Sequence, residues 1–139
     1  MVKRVLLTGG PYAGKTTVFD SLRMEYVNKP VIFVPESATF LLNMGVPSPK
    51  SERITVQQFE ELVLWTQVEL DALLHHIKYY CPPKVIVYDR CALDGVAYWP
   101  KGKEDFLRLF CNWEMSLSKY DIVFYFQTQA YYAYEPTHT

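Results

Sequence analysis

Short unbroken apolar runs alternate along this chain with longer stretches in which apolar residues return every third or fourth position. Val5, Leu6 and Leu7, then Val31–Val34, residues 85–88 and Ile122–Phe126 are runs rich in β-branched or aromatic residues, the composition of strands buried on both faces. Residues 16–27 carry Val18, Phe19, Leu22, Tyr26 and Val27 at near-helical spacing. A longer helix is predicted from Thr55, which forms a capping-box pattern with Gln58; it carries Val56, Phe59, Val63, Leu70, Leu73, Leu74 and Ile77 and is stopped by Pro82 and Pro83. Another covers residues 104–119, with Phe106, Phe110, Trp113 and Leu117 on one side. This βαβα order predicts a parallel α/β sheet whose ligands bind at the C-terminal ends of the strands. Residues 45–51, with Pro47 and Pro49, are the candidate flexible loop.

Between the first strand and the first helix stands Gly9-Gly10-Pro11-Tyr12-Ala13-Gly14-Lys15-Thr16, which fits the phosphate-loop pattern G-x-x-x-x-G-K-[ST] at every specified position. The glycines let the backbone form a nest of amide NH groups around phosphate oxygens, Lys15 reaches the β- and γ-phosphates, and the Thr16 hydroxyl is suited to Mg²⁺. A helix N-terminus after the loop favours an anion. The expected ligand is a nucleoside triphosphate, ATP, with Mg²⁺.

Two acids end apolar strands. In Val85-Ile86-Val87-Tyr88-Asp89-Arg90, a carboxylate at Asp89 is placed to hold Mg²⁺ or its water opposite Thr16; aspartates at strand ends also serve as helix caps and turn residues. Arg90 adds a planar cation able to clamp a carboxylate or phosphate at two points, or to form an ion pair at the sheet edge. In Val34-Pro35-Glu36-Ser37, Glu36 is a candidate base for an acceptor hydroxyl; negative charge there also suits the start of the next helix.

Composition narrows the picture. The 139 residues suit one domain and half are hydrophobic, enough for a core. A net charge of −1 suggests neither a nucleic-acid footprint nor a polybasic membrane anchor. Cys81, Cys91 and Cys111 are odd in number and lack a C-x-x-C pair, which argues against a disulfide framework or structural zinc and for a reduced, cytoplasmic setting. Neither a secretory leader nor an apolar stretch of membrane-spanning length is evident, so membrane insertion is not expected. His75 and His76 are adjacent on a helix and face apart. Lys101-Gly102-Lys103 reads as a solvated basic turn. Tyr131, Tyr132 and Tyr134 are suited either to stack on a base or to pack a loop on the core.

Taken together, Leu7-Thr8-Gly9-Gly10-Pro11-x-x-Gly14-Lys15-Thr16-Thr17, Val34-Pro35-Glu36-Ser37-Ala38-Thr39 and Tyr88-Asp89-Arg90-x-x-Leu93-Asp94-Gly95-x-Ala97-Tyr98 resemble AAA-type P-loop domains related to nicotinamide riboside kinase. The resemblance spans about residues 3–130 and implies an α/β P-loop NTPase fold, a three-layer α/β/α arrangement with a parallel sheet of at least four strands, the Asp89 strand lying beside the loop strand. It also implies that Glu36 and Arg90 belong to an acceptor pocket. Related kinases carry an arginine-rich lid and a further strand after the fourth, whereas this chain has no Lys or Arg beyond Lys119. The expectation is therefore a single domain over residues 1–139 without its C-terminal lid and fifth strand. The expected activity is phosphoryl transfer from ATP to a small hydroxyl acceptor such as a nucleoside. The loop, residues 9–17, holds the triphosphate, Thr16 and Asp89 hold Mg²⁺, Lys15 neutralises developing charge, Glu36 accepts the proton and Arg90 orients the acceptor. The alternatives are a nucleotide-dependent regulatory NTPase or switch without a small acceptor and a non-catalytic scaffold.

Overall fold

The computed structural model describes residues 1–9, 14–90, 99–109 and 119–127. Among them the elements run β1 (Lys3–Gly9), α1 (Lys15–Glu25), β2 (Val31–Val34), α2 (Ser37–Asn43), a 3₁₀ turn (Pro49–Ser51), α3 (Val56–Tyr80), β3 (Val85–Asp89), α4 (Gly102–Leu109) and β4 (Ile122–Phe126). The four strands form one parallel sheet in the order β2-β3-β1-β4. Register places Lys3 beside Val85 and Leu7 beside Asp89, so the loop strand and the Asp89 strand are central neighbours.

Period-two alternation divides the strand residues between two faces. Leu6, Val34, Ile86 and Tyr88 join Leu74 and Trp99 in one core, against which Leu64, Leu70 and Ile77 of α3 pack. Leu7 and Val87 join Phe19 of α1 in the other, with Val5, Phe33 and Phe126 alongside. The sheet is thus sandwiched between α1 and α3, the three-layer α/β/α arrangement. Thr55 caps α3 as its sequence predicts: its hydroxyl accepts from Gln58 N at 3.0 Å and Gln58 Oε1 accepts from Thr55 N at 3.0 Å. Cys81 follows the last helical residue, and the two prolines then prevent continuation.

Several patterns fold differently from expectation. α1 ends at Glu25, so Tyr26 and Val27 lie in a turn, and Phe19 is the one residue of that apolar set that becomes buried. Val56 and Leu73 are exposed on α3; a helix of 25 residues is about 37 Å long and overhangs strands of about 17 Å, leaving its first turn uncovered, while Leu73 lies off the stripe set by Leu74. Residues 45–51 are partly ordered by the 3₁₀ turn, with Pro49 at its start and Ser51 Oγ donating to Ser48 O at 2.7 Å. β4 is not buried on both faces: residues 122–125 are all exposed, because β4 stands at the sheet edge beside β1 alone among the described strands. Gly102 opens α4 between Lys101 and Lys103. Of the predicted helix over residues 104–119, Phe110, Trp113 and Leu117 lie outside the described residues, as do Cys91, Cys111, Tyr131, Tyr132 and Tyr134.

Candidate nucleotide and acceptor site

At the C-terminal edge of the sheet the ends of β1, β2 and β3 bring four charged side chains together. Gly14 precedes α1 with φ 83°, a left-handed conformation that glycine adopts without strain. This turn starts the helix at Lys15, which is 4% exposed despite its charge. Its ammonium is ion-paired with the Asp89 carboxylate and lies 3.4 Å from Glu36 Oε2. Glu36 Oε2 also accepts from Arg90 Nε at 2.7 Å, and Glu36 Oε1 accepts from Thr39 Oγ1 at 3.1 Å. One carboxylate therefore serves two cations and a hydroxyl.

Glu36 occupies the N-cap position of α2, yet its side chain makes no capping hydrogen bond to the helix backbone. Its position suits a helix start while its carboxylate is committed to the cluster. Asp89 is 5% exposed at the end of β3. Burial pushes its carboxyl above the ordinary aspartate range, with Lys15 acting most strongly in the opposite direction and Glu36 reinforcing the rise. Arg90 donates its backbone N–H to Leu7 O at 2.8 Å, extending the β1–β3 ladder by one bond, and then turns with φ 68°. A left-handed arginine costs free energy, on the order of 1 kcal/mol or more, and here it accompanies a guanidinium turned to Glu36 rather than to the sheet edge. Thr16 and Thr17 stand on the exposed first turn of α1. Gly10, Pro11, Tyr12 and Ala13 lie outside the described residues.

Gly9 ends β1 with φ 144°, and a Cβ there would overlap the Phe126 carbonyl oxygen and lie 2.9 Å from Phe126 N. The first glycine of the loop is required by the close approach of β4 as well as by its backbone angle.

Sequence reasoning missed Gln67, a buried polar residue of α3 whose Oε1 accepts a hydrogen bond from Ser37 Oγ. Ser37 follows Glu36 directly, so this bond ties the acid's helix to α3. The available signal was position: Gln67 falls on the apolar stripe that runs through Phe59 and Leu74. Thr39 was quoted only as part of a motif, though its spacing of three from Glu36 allows the observed contact on one helical turn.

A family model described as AAA domain matches residues 4–139. The chain belongs to the AAA domain family. No curated protein matches it. As an AAA domain of the phosphate-loop type it is a nucleotide-binding α/β domain, and Gly9, Gly14 and Lys15 of its phosphate-loop motif lie at the same sheet edge as Asp89, Glu36 and Arg90. Among the described residues of this AAA domain there is no cluster of three or more His, Cys, Asp or Glu able to hold a metal ion, and no helix long and apolar enough to cross a membrane.

Proposed function

We propose that this AAA domain transfers the γ-phosphoryl group of ATP to a small hydroxyl-bearing acceptor, such as a nucleoside. The observation that carries the reading is the position of Glu36: a carboxylate beside the phosphate-loop lysine, bridged to a strained arginine on the neighbouring strand. An acid needed only to start α2 has no use for either cation.

The residues present fit Mg²⁺, since Thr16 offers a hydroxyl and Asp89 a carboxylate, hard oxygen donors that a magnesium ion shares with phosphates and water. Bound Mg²⁺ would supply charge neutralisation on the phosphates. Lys15 exchanges its carboxylate partner for phosphate oxygens and stabilises charge on the transferring group. Glu36 accepts the proton of the acceptor hydroxyl, and Arg90 fixes the orientation of the acceptor and of Glu36 itself.

The second reading is a nucleotide-dependent switch. It is favoured by the ion pair of Lys15 with Asp89, which nucleotide entry must break, moving contacts on α1, α2 and β3 together. Acceptor-stimulated ATP turnover decides between them. With a panel of nucleosides and related alcohols, Glu36→Gln is expected to lower transfer by about a hundredfold while ATP affinity changes little. Turnover that no acceptor stimulates, with basal hydrolysis equal in Glu36→Gln, would replace the kinase by the switch.

A further inference from the structure

The opposite end of the sheet carries a second concavity. Residues 28–30 and Ile32 on one side and residues 81–83 on the other border an open cavity of about 460 Å³, within the roughly 300–1,000 Å³ of ligand-sized sites. Three prolines and Ile32 are among the residues that line it, with Asn28, Lys29 and Cys81, so its lining is mostly apolar and is stiffened by the prolines. It lies where the turns after α1 and α3 enter β2 and β3, joined by the bond from Lys84 N to Pro30 O at 2.7 Å.

Its rim is basic and aromatic. Lys29 lines the cavity, Lys84 follows Pro83, and Lys3 neighbours Lys84 through Lys3 N to Lys84 O at 3.0 Å. All three are exposed and none forms an ion pair among the described residues. The helix termini that reach this end are C-termini, whose negative dipole ends account for Lys78 in the last turn of α3. They do not account for Lys3 and Lys84, which lead into strands. Tyr79 and Tyr80, which precede the lining residue Cys81, are 81% and 79% exposed, and Val27, which precedes Asn28, is 63% exposed. Exposed aromatic and aliphatic side chains next to the residues of a concavity fit a contact surface.

We infer that this end of the domain docks an acidic peptide segment of a partner protein, with one bulky apolar side chain in the proline-walled cavity and flanking carboxylates on Lys3, Lys29 and Lys84. Charge complementarity selects the acidic partner. An open, largely apolar concavity suits a side-chain anchor, whereas nucleic acid needs a groove that tracks a phosphate backbone, and the chain's net charge of −1 supplies no broad field for one.

The test is selection from a random heptapeptide phage library on the intact chain, followed by fluorescence anisotropy of the enriched peptides. The expected consensus places Asp or Glu on both sides of an aromatic or large aliphatic residue. Affinity should fall at least tenfold in Lys29→Glu/Lys84→Glu, several-fold in the milder Lys29→Gln/Lys84→Gln, and at least tenfold when the peptide's central residue becomes alanine. Circular dichroism of both variants checks the fold, and the glutamine pair carries the test if the glutamate pair unfolds. No enrichment, a consensus without acids, equal binding to the glutamine variant, or displacement of the peptide by a twenty-nucleotide oligothymidylate at lower concentration than by unlabelled peptide overturns the proposal.

Discussion

β3 and β4 are each five residues long, read Val-Ile-Val-Tyr-Asp and Ile-Val-Phe-Tyr-Phe, and both run parallel to β1 over five positions. Their fates differ. Ile86 and Tyr88 are wholly buried, whereas Ile122, Val123, Phe124 and Tyr125 are between 47% and 70% exposed. Strand composition reports the preference for a pleated backbone, which both share; burial depends on having a ladder partner on each side and a helix over each face. β3 has β1 and β2 as partners and packs into both cores, while β4 has β1 alone among the described residues and only Phe126 enters a core. The polar end of β3 follows from the same centrality: Asp89 emerges beside Leu7, at the start of the loop, where a charge meets Lys15.

The sharpest way to break this comparison acts on that charged end. Lys15→Met removes one partner of a buried pair and is expected to cost about 3–5 kcal/mol at neutral pH in urea unfolding. Burial raises the Asp89 carboxyl, so its charged form costs more in the fold than in water, and Lys15 offsets part of that cost. Stability linked to this group is complete below the ordinary aspartate range and is lost as pH rises through the raised value. The Lys15→Met deficit should therefore shrink on acidification, and a deficit independent of pH would mean that Asp89 does not feel Lys15.

The next contrast is between truncations to alanine on the two strands. Ile86→Ala should cost roughly 2–5 kcal/mol through lost burial and a residual cavity, whereas Val123→Ala on the exposed strand should cost less than about 1 kcal/mol. Similar denaturation midpoints for the two would show that β4 is as tightly covered as β3.

Gly9→Ala probes where the two strands' environments meet. The added methyl must displace the Phe126 backbone, so a loss of about 1–3 kcal/mol is expected, together with a reduced thermal shift on adding ATP and Mg²⁺. Stability lost with the nucleotide shift intact would separate the β1–β4 contact from the phosphate nest.

All four strands and α3 were legible in the sequence, because local rules determine them: an apolar run for a strand, Thr55 with Gln58 for a helix start, Pro82 and Pro83 for its end. The central pairing of β1 with β3 was implied by the family resemblance. What pattern alone could not convey was burial, since whether Val18, Leu73 or Val123 faces a neighbour is a property of the assembled layers. At the site, Lys15, Glu36, Asp89 and Arg90 were identifiable because each stands next to a motif or at a strand end. The sharing of one Glu36 oxygen by two cations was not legible, because it joins residues up to 75 positions apart through the register of a sheet.

The strand order has a consequence for how the protein is made. β1 and β2 do not pair with each other; the first ladders that either can form involve Val85 and its neighbours, and β1 also contacts residues near 122. During synthesis, which adds roughly 5–20 residues per second, α1 and α3 emerge with no sheet to cover until β3 clears the ribosome exit tunnel. Lys15 and Glu36, though translated early, wait for Asp89 and Arg90 before their charges are matched. Such long loop closures slow folding, so a nascent chain arrested before residue 85 should remain sensitive to protease and available to chaperones, with its phosphate loop translated but unassembled.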